Sequence, residues 1–234
     1  MSNGSQSAAS VRAVEALVVE KFRTEPFQNL NIIYGPSRRP LPGGTCSDKT
    51  ASFVDSGRRA GFDVALHSGF IGGQEIHRLA RVRVDGEAYF ADVGNGWPAL
   101  KLYPAHREIM YHVFGMRFRT EIADGRITVF HERQGREVLQ VEIDICCRPE
   151  SEIRAAIDAR FNSGVRYPFS DSVRFSQIVG SRFLFLRGDR LEIYSDDGVE
   201  SFDGIDEARL PAVLQQYFQI DVITYFPSDS FRRV

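Results

Sequence analysis

Apolar residues recur at helical spacing over residues 10–23, where Val11, Val14, Leu17, Val18 and Phe22 share one face, and Pro26 closes the run. The Ser/Ala-rich residues 1–9 carry no such stripe and are expected to fray. Asn31–Pro42 is rich in Pro, Gly and Arg and reads as a loop. Thr45 with Asp48 forms a capping-box pattern, and the helix it opens runs through Phe53, Val54 and Ala60 to a Gly61 cap. The period then changes to two. Phe62, Val64 and Leu66 alternate with polar residues, as do Ala80, Val82 and Val84, and then Tyr89, Ala91 and Val93. Asp85-Gly86 between the last two runs is a type I′ hairpin signal. More strands are expected at Met110–Thr120, Arg126–His131 and Val138–Cys146. Pro149 and Ser151 open a helix that buries Ile153, Ile157 and Phe161, and residues 162–172 read as a loop. Val173–Tyr194 reads as a hairpin turning near Gly188-Asp189, and Ile205–Phe218 as a closing amphipathic helix with Leu210, Val213, Leu214 and Tyr217 inward. A helical unit, then mostly antiparallel strands, then an α/β unit predicts an α+β fold. The divisions fall at 1–61, 62–148 and 149–234.

Composition narrows the functional classes. With 43% hydrophobic residues the 234-residue chain can build a real core. A net charge of −2 offers no nucleic-acid footprint. No apolar run reaches the roughly 20 residues of a membrane span, so no membrane partner is expected. The polar N-terminus lacks a signal core, which points to the cytoplasm. Three cysteines, Cys46, Cys146 and Cys147, two of them adjacent, cannot make a disulfide framework and fit a reducing compartment. Cys146 and Cys147 read as core or strand-end residues. His67, His106, His112 and His131 show no metal spacing, and there is no CxxC or HExxH, so no metal is expected.

The chemistry lies in Cys46, His77 and Asp92. Cys46 occupies the first turn of its helix, where free N–H groups and the macrodipole favour a thiolate. Gly43 and Gly44 just before it allow backbone to approach a substrate closely. If Asp85-Gly86 is a two-residue loop, Val84 pairs with Glu87, and counting back pairs Leu79 with Asp92 and His77 with Gly94. His77 and Asp92 then share a face as diagonal neighbours, with Cα atoms about 7–8 Å apart. A one-residue slip would place Asp92 on the other face. A thiol, an imidazole and a carboxylate in that order form a nucleophile, its base and its orienter, suited to acyl transfer or hydrolysis. Taken singly, each has a plainer reading. A cysteine near a helix start is usually a small buried hydrophobe, and a strand histidine is usually structural.

The motifs around these residues resemble the arylamine N-acetyltransferases over most of the chain. Pro26-Phe27-Gln28-Asn29-Leu30 resembles that family's Pro-Phe-Glu-Asn-Leu, and Pro42-Gly43-Gly44-Thr45-Cys46 its Arg-Gly-Gly-x-Cys. Residues 60–64, the Ile76-His77-Arg78-Leu79 strand and Phe175-Ser176-Gln177 with Leu210–Val222 resemble later segments. The stretch 85–96 resembles its Asp-Gly-x-x-Tyr-x-x-Asp-Val-Gly-Phe-Gly hairpin. The resemblance implies three lobes around a cysteine-protease-like core: a reduced helical lobe, a β-barrel-like lobe and a C-terminal α/β lobe. It implies a ping-pong reaction in which Cys46 takes an acyl group from acetyl-CoA or another acyl thioester and a small-molecule amine accepts it. His77 would shuttle protons, Asp92 would orient His77, and backbone N–H groups near Cys46 would bind the oxyanion. Substrate contacts are expected from Phe27, Gly44, Thr45, Gly94, Asn95, Gly96 and Trp97, with residues 162–172 as further coenzyme contacts.

Departures from the family pattern shape the reading. Pro42 replaces the motif arginine, so one ion pair should be missing. Asn95 replaces an aromatic residue and is expected to give the acceptor pocket a polar wall, away from simple arylamines. Gln74-Glu75 adds polarity just before His77. The shortened stretch between Phe27 and Cys46 is expected to leave the thiol more open. An acyl carrier protein is an alternative donor, with Arg38-Arg39 and Arg58-Arg59 as docking candidates, although solvated surface arginines are common. Two other classes stand beside acyl transfer: a Cys-His-Asp hydrolase, and a non-catalytic binding protein with an unreactive Cys46.

Overall fold

A computed structural model describes residues 3–146, 148–159 and 167–231. Cys147, Phe161 and residues 162–166 of the expected loop lie outside the described residues. The chain runs α1 (Asn3–Thr24), β1 (Phe27–Gln28), α2 (Leu30–Tyr34), α3 (Cys46–Arg59), β2 (Asp63–Ile71), β3 (Gln74–Val84), β4 (Glu87–Ala91), β5 (Tyr103–Pro104) and β6 (Met110–Val113). It continues with β7 (Met116–Ala123), β8 (Arg126–Arg133), β9 (Arg136–Asp144), α4 (Glu150–Ala159), β10 (Arg174–Val179), β11 (Arg182–Arg187), β12 (Arg190–Ser195), β13 (Gly198–Phe202) and α5 (Leu210–Phe218). The fold is α+β, with a curled eight-stranded sheet in the order β5-β4-β3-β2-β9-β8-β7-β6 and a five-stranded sheet in the order β1-β10-β11-β12-β13.

Several elements differ from the sequence reading for physical reasons. The first helix starts at Asn3 rather than near residue 10. The loop expected at 31–42 begins as the short helix α2. The run at 110–120 is two strands, because Phe114 and Gly115 both take positive φ, the geometry of a type I′ turn. The hairpin expected at 173–194 is part of a four-stranded meander that continues through β13. The closing helix begins at Leu210, with Pro211 in its first turn, so Ile205 lies before it.

Strand periodicity divides the core. In β11, Phe183 and Phe185 face the large sheet with Tyr194 of β12, and they join the cluster of Val14, Val18, Phe53 and Phe118. Leu184 and Leu186 point the other way and pack with Leu191, Leu210, Leu214 and Phe218 under α5. The small sheet therefore carries apolar side chains on both faces and joins the two cores. No helix among the described residues is long and apolar enough to cross a membrane.

Candidate active site

Three elements converge on Cys46, the first residue of α3. The turn before it lies along β1: the Gly44 N–H donates to the Pro26 carbonyl at 3.1 Å, and the Gln28 N–H donates to the Gly44 carbonyl at 2.9 Å. Gly43, at φ +75°, touches the Pro26 backbone so closely that an added Cβ would sit 1.9 Å from its oxygen. The two glycines thus seat the turn against Pro26 and Asp48 rather than against the cavity beside the thiol. The capping pattern is realised: the Thr45 N–H and hydroxyl both donate to Asp48 Oδ2 at 2.9 Å. The Thr50 hydroxyl donates to the Arg78 carbonyl at 2.9 Å, tying α3 to β3.

The hairpin has the register counted from Asp85-Gly86: Val84 pairs with Glu87, and Ala80 with Ala91. Asp92 follows directly, and its Oδ1 meets His77 Nε2 at 2.6 Å. Both side chains are buried. With Nε2 on the carboxylate, Nδ1 is left to face the Cys46 sulfur, which also approaches the Ile76 carbonyl oxygen at 4.0 Å. Gly94 packs directly on the nucleophile turn, where an added Cβ would lie 2.9 Å from Cys46 Cα and Cβ.

Electrostatics favour an ion pair here. Burial alone would push the Cys46 thiol up. The hydrogen bond and charge of His77, the Arg78 backbone and the Arg78 guanidinium outweigh it and bring the thiol below its ordinary value. Burial would lower His77, but the Asp92 charge and hydrogen bond, followed by Cys46, hold it up at about 10. A lowered thiol beside a raised imidazole favours the thiolate–imidazolium form of the pair.

Beside the sulfur is a cavity of about 110 Å³. Of the expected contacts, Phe27, Gly94, Asn95 and Gly96 line it. Gly44 and Thr45 line a separate hollow of about 320 Å³ with Asp48. Trp97 lies behind the site, 4.6 Å from Phe185 and 4.8 Å from His131 between ring centres. Asn95 lines the cavity, but its amide bonds elsewhere: Nδ2 donates to Asp92 Oδ2 at 2.8 Å, and Oδ1 accepts from the Trp97 N–H at 3.0 Å. The polar wall expected from Asn95 is therefore lacking. Cys46 is only 4% exposed, so the thiol is not open as the shortened first lobe suggested. Phe27 and residues 167–169 close over it.

Sequence reasoning missed Ile71, Ile76, Gln140 and Val141 in the lining. Ile71 and Ile76 flank the tight Gly72-Gly73 turn, a hairpin signal legible in the chain. Gln140 and Val141 left no such signal. They are neighbours on β9 yet both line the cavity, because the pairing with β8 jumps from Val141–Val129 to Leu139–Phe130 and leaves Gln140 in a bulge. Tyr167, Pro168 and Phe169, from the loop suggested for the coenzyme, also line the cavity. Asn29 anchors that wall, donating to the Phe169 and Ser172 carbonyls at 2.5 and 2.8 Å.

Of the four arginines weighed for docking, Arg38 is exposed, Arg59 donates to the Ser56 hydroxyl at 3.2 Å, and the other two are engaged more closely. Arg58 pairs with Glu150 at 2.6 Å, and Arg39 bonds Thr224 and lies over the Tyr225 ring. Glu75 is tied to Arg148 and lies outside the cavity lining.

A sequence model described as N-acetyltransferase matches residues 37–225. Among solved structures, the chain is similar to the arylamine N-acetyltransferase of Nocardia farcinica, with 22% identity and a TM-score of 0.78, covering 94% of this chain and 85% of that one. It is similar to the Mycobacterium marinum arylamine N-acetyltransferase in complex with CoA, with 17% identity and a TM-score of 0.77, covering 94% and 90%. The Salmonella typhimurium arylamine N-acetyltransferase gives 19% identity and a TM-score of 0.74, covering 91% and 85%. No curated protein matches.

Proposed function

Because the chain belongs to the arylamine N-acetyltransferase family, we propose that it moves an acyl group, acetyl in the first instance, from a CoA thioester through acyl-Cys46 to an amine acceptor. The observation that carries this reading is the buried His77–Asp92 contact of 2.6 Å beside a thiol held below its ordinary value. The Cys46 thiolate attacks the thioester carbonyl. The tetrahedral intermediate collapses and expels the coenzyme thiolate, which takes the proton from imidazolium His77. The amine then attacks the Cys46 thioester, His77 accepts its proton, and Cys46 leaves as thiolate. Asp92 keeps the imidazole in one tautomer and orientation throughout. Unpaired N–H groups in the first turn of α3 are the oxyanion donors this reading assigns.

Two features support transfer over hydrolysis and an aromatic amine as acceptor. A nearly enclosed thiol limits water at the acyl-enzyme. The lining by Phe27, Ile71, Ile76, Val141 and Phe169, with the Asn95 amide turned away, suits a small aromatic amine. A carrier-protein donor gains no support, since Arg39 and Arg58 are engaged within the chain.

The test is the intact mass of the protein after mixing with acetyl-CoA, beside a Cys46→Ala control. The expected result is one acetyl adduct that the control lacks and that an added arylamine discharges. An unmodified wild-type protein whose thiol also resists alkylation at neutral pH would overturn the proposal.

A further inference from the structure

The role of Asn95 goes beyond the residues assigned above, and it rests on the reading of Cys46, His77 and Asp92 as the reacting set. Asp92 is fully buried, and a buried carboxylate needs a partner on each oxygen. His77 serves Oδ1, and Asn95 Nδ2 serves Oδ2 at 2.8 Å. The amide cannot be turned end for end. Its other atom faces the Trp97 N–H at 3.0 Å, a donor that only the amide oxygen can satisfy. Trp97 is itself held between His131 at 4.8 Å and Phe185 at 4.6 Å, with the Arg133 guanidinium 4.2 Å over its ring. A packed aromatic cluster thus fixes a backbone N–H, which fixes an amide, which fixes the carboxylate that orients His77.

We infer that Asn95 is a positioning residue that holds the plane of the Asp92 carboxylate, so that its other oxygen stays on His77 and the Cys46 thiolate stays paired. Each end of the amide already carries one hydrogen bond within the site, and together they fix its orientation. The charged and titratable groups around the carboxylate are His77 and Cys46 toward the cavity, Arg78 beside the thiol, and the Tyr103 and Tyr111 phenols, both raised chiefly by burial, with the Asp92 charge raising each further.

The experiment is the pH profile of Cys46 alkylation by iodoacetamide, which needs no acyl donor, in the wild type, Asn95→Ala, Asn95→Asp and Trp97→Phe. Loss of one hydrogen bond to a charged group corresponds to about a tenfold change. The midpoint of the acid limb should therefore rise by about one pH unit in Asn95→Ala. In the nearly isosteric Asn95→Asp, two carboxylates share one position, and the profile should gain a second inflection. Trp97→Phe keeps the backbone N–H that orients the amide but loosens the cluster that fixes it, so it should lower Tm and raise the midpoint by less than Asn95→Ala does. A wild-type midpoint below that of an ordinary thiol, unmoved in Asn95→Ala and with one inflection in Asn95→Asp, overturns the inference and leaves the proposed function standing. A wild-type midpoint at the ordinary thiol value overturns the reading of the reacting set and the inference with it.

Discussion

Gly94→Ala tests the assembly of the site at its tightest point. An alanine Cβ would lie 2.5 Å from the Arg78 carbonyl oxygen and 2.9 Å from both Cys46 Cα and Cβ. Ordinary carbon contacts begin near 3.5 Å, so the shortfall is about 0.6–1 Å against atoms that cannot swing aside. The end of the hairpin must draw back from the start of α3. His77 is next to Arg78 and Asp92 lies two residues before Gly94, so both move with the hairpin while Cys46 stays with its helix. A displacement of about 1 Å at a reacting centre lowers rates by about 100-fold. Overpacking costs about 1–3 kcal/mol, or roughly 2–12 °C of Tm for a domain of this size. The assay is the rate of Cys46 acetylation by acetyl-CoA, followed by intact mass, with Tm on the same samples. Gly96→Ala is the paired control, because its Cβ would meet only ordinary contacts, the nearest at 3.7 Å, and its Tm should stay near wild type. A Gly94→Ala protein that acetylates at the wild-type rate with unchanged Tm would refute the argument that this close approach aligns the reacting groups.

Four further outcomes follow from the site. Asp92→Asn removes the charge that holds His77 at about 10, so the buried thiol should rise above its ordinary value; at neutral pH the thiolate falls to about 3% or less, alkylation slows by about 30-fold or more, and the loss is recovered as pH is raised. In the wild type the same logic gives an alkylation rate whose acid limb lies below that of an ordinary thiol and falls as the thiolate is protonated. Asn29→Ala leaves the Phe169 and Ser172 carbonyls and the Arg174 N–H without their partner, and thermal melts should show a loss of about 2–4 kcal/mol. Gln140→Leu removes an amide from an otherwise largely apolar lining; kcat/KM across arylamines with hydroxyl or methyl substituents should shift by about 2–10-fold toward the methyl compounds, while acetyl loading of Cys46 stays near wild type.

Legibility in the sequence followed the range of the interactions. The His77–Asp92 contact was readable because a two-residue turn fixes register by local geometry, and register fixes which side chains share a face. The start of α3 was readable for the same reason, since its cap is made by residues three apart. Long-range features were not readable. The thiol is closed in by Phe27 and residues 167–169, segments far apart in the chain and held together through Asn29, so counting residues between Phe27 and Cys46 gave the wrong sense of exposure. The bulge that turns Gln140 into the cavity depends on which β8 residues it meets, and no local pattern marks it. Asn95 shows the limit most sharply. As a polar residue in an aromatic residue's place it suggested a polar substrate wall. Its neighbours in space instead take both ends of its amide into the support of Asp92. The substitution thus alters how the carboxylate is held and leaves the wall largely apolar. A side chain's type names the bonds it can make, and only its surroundings decide whether a substrate receives them.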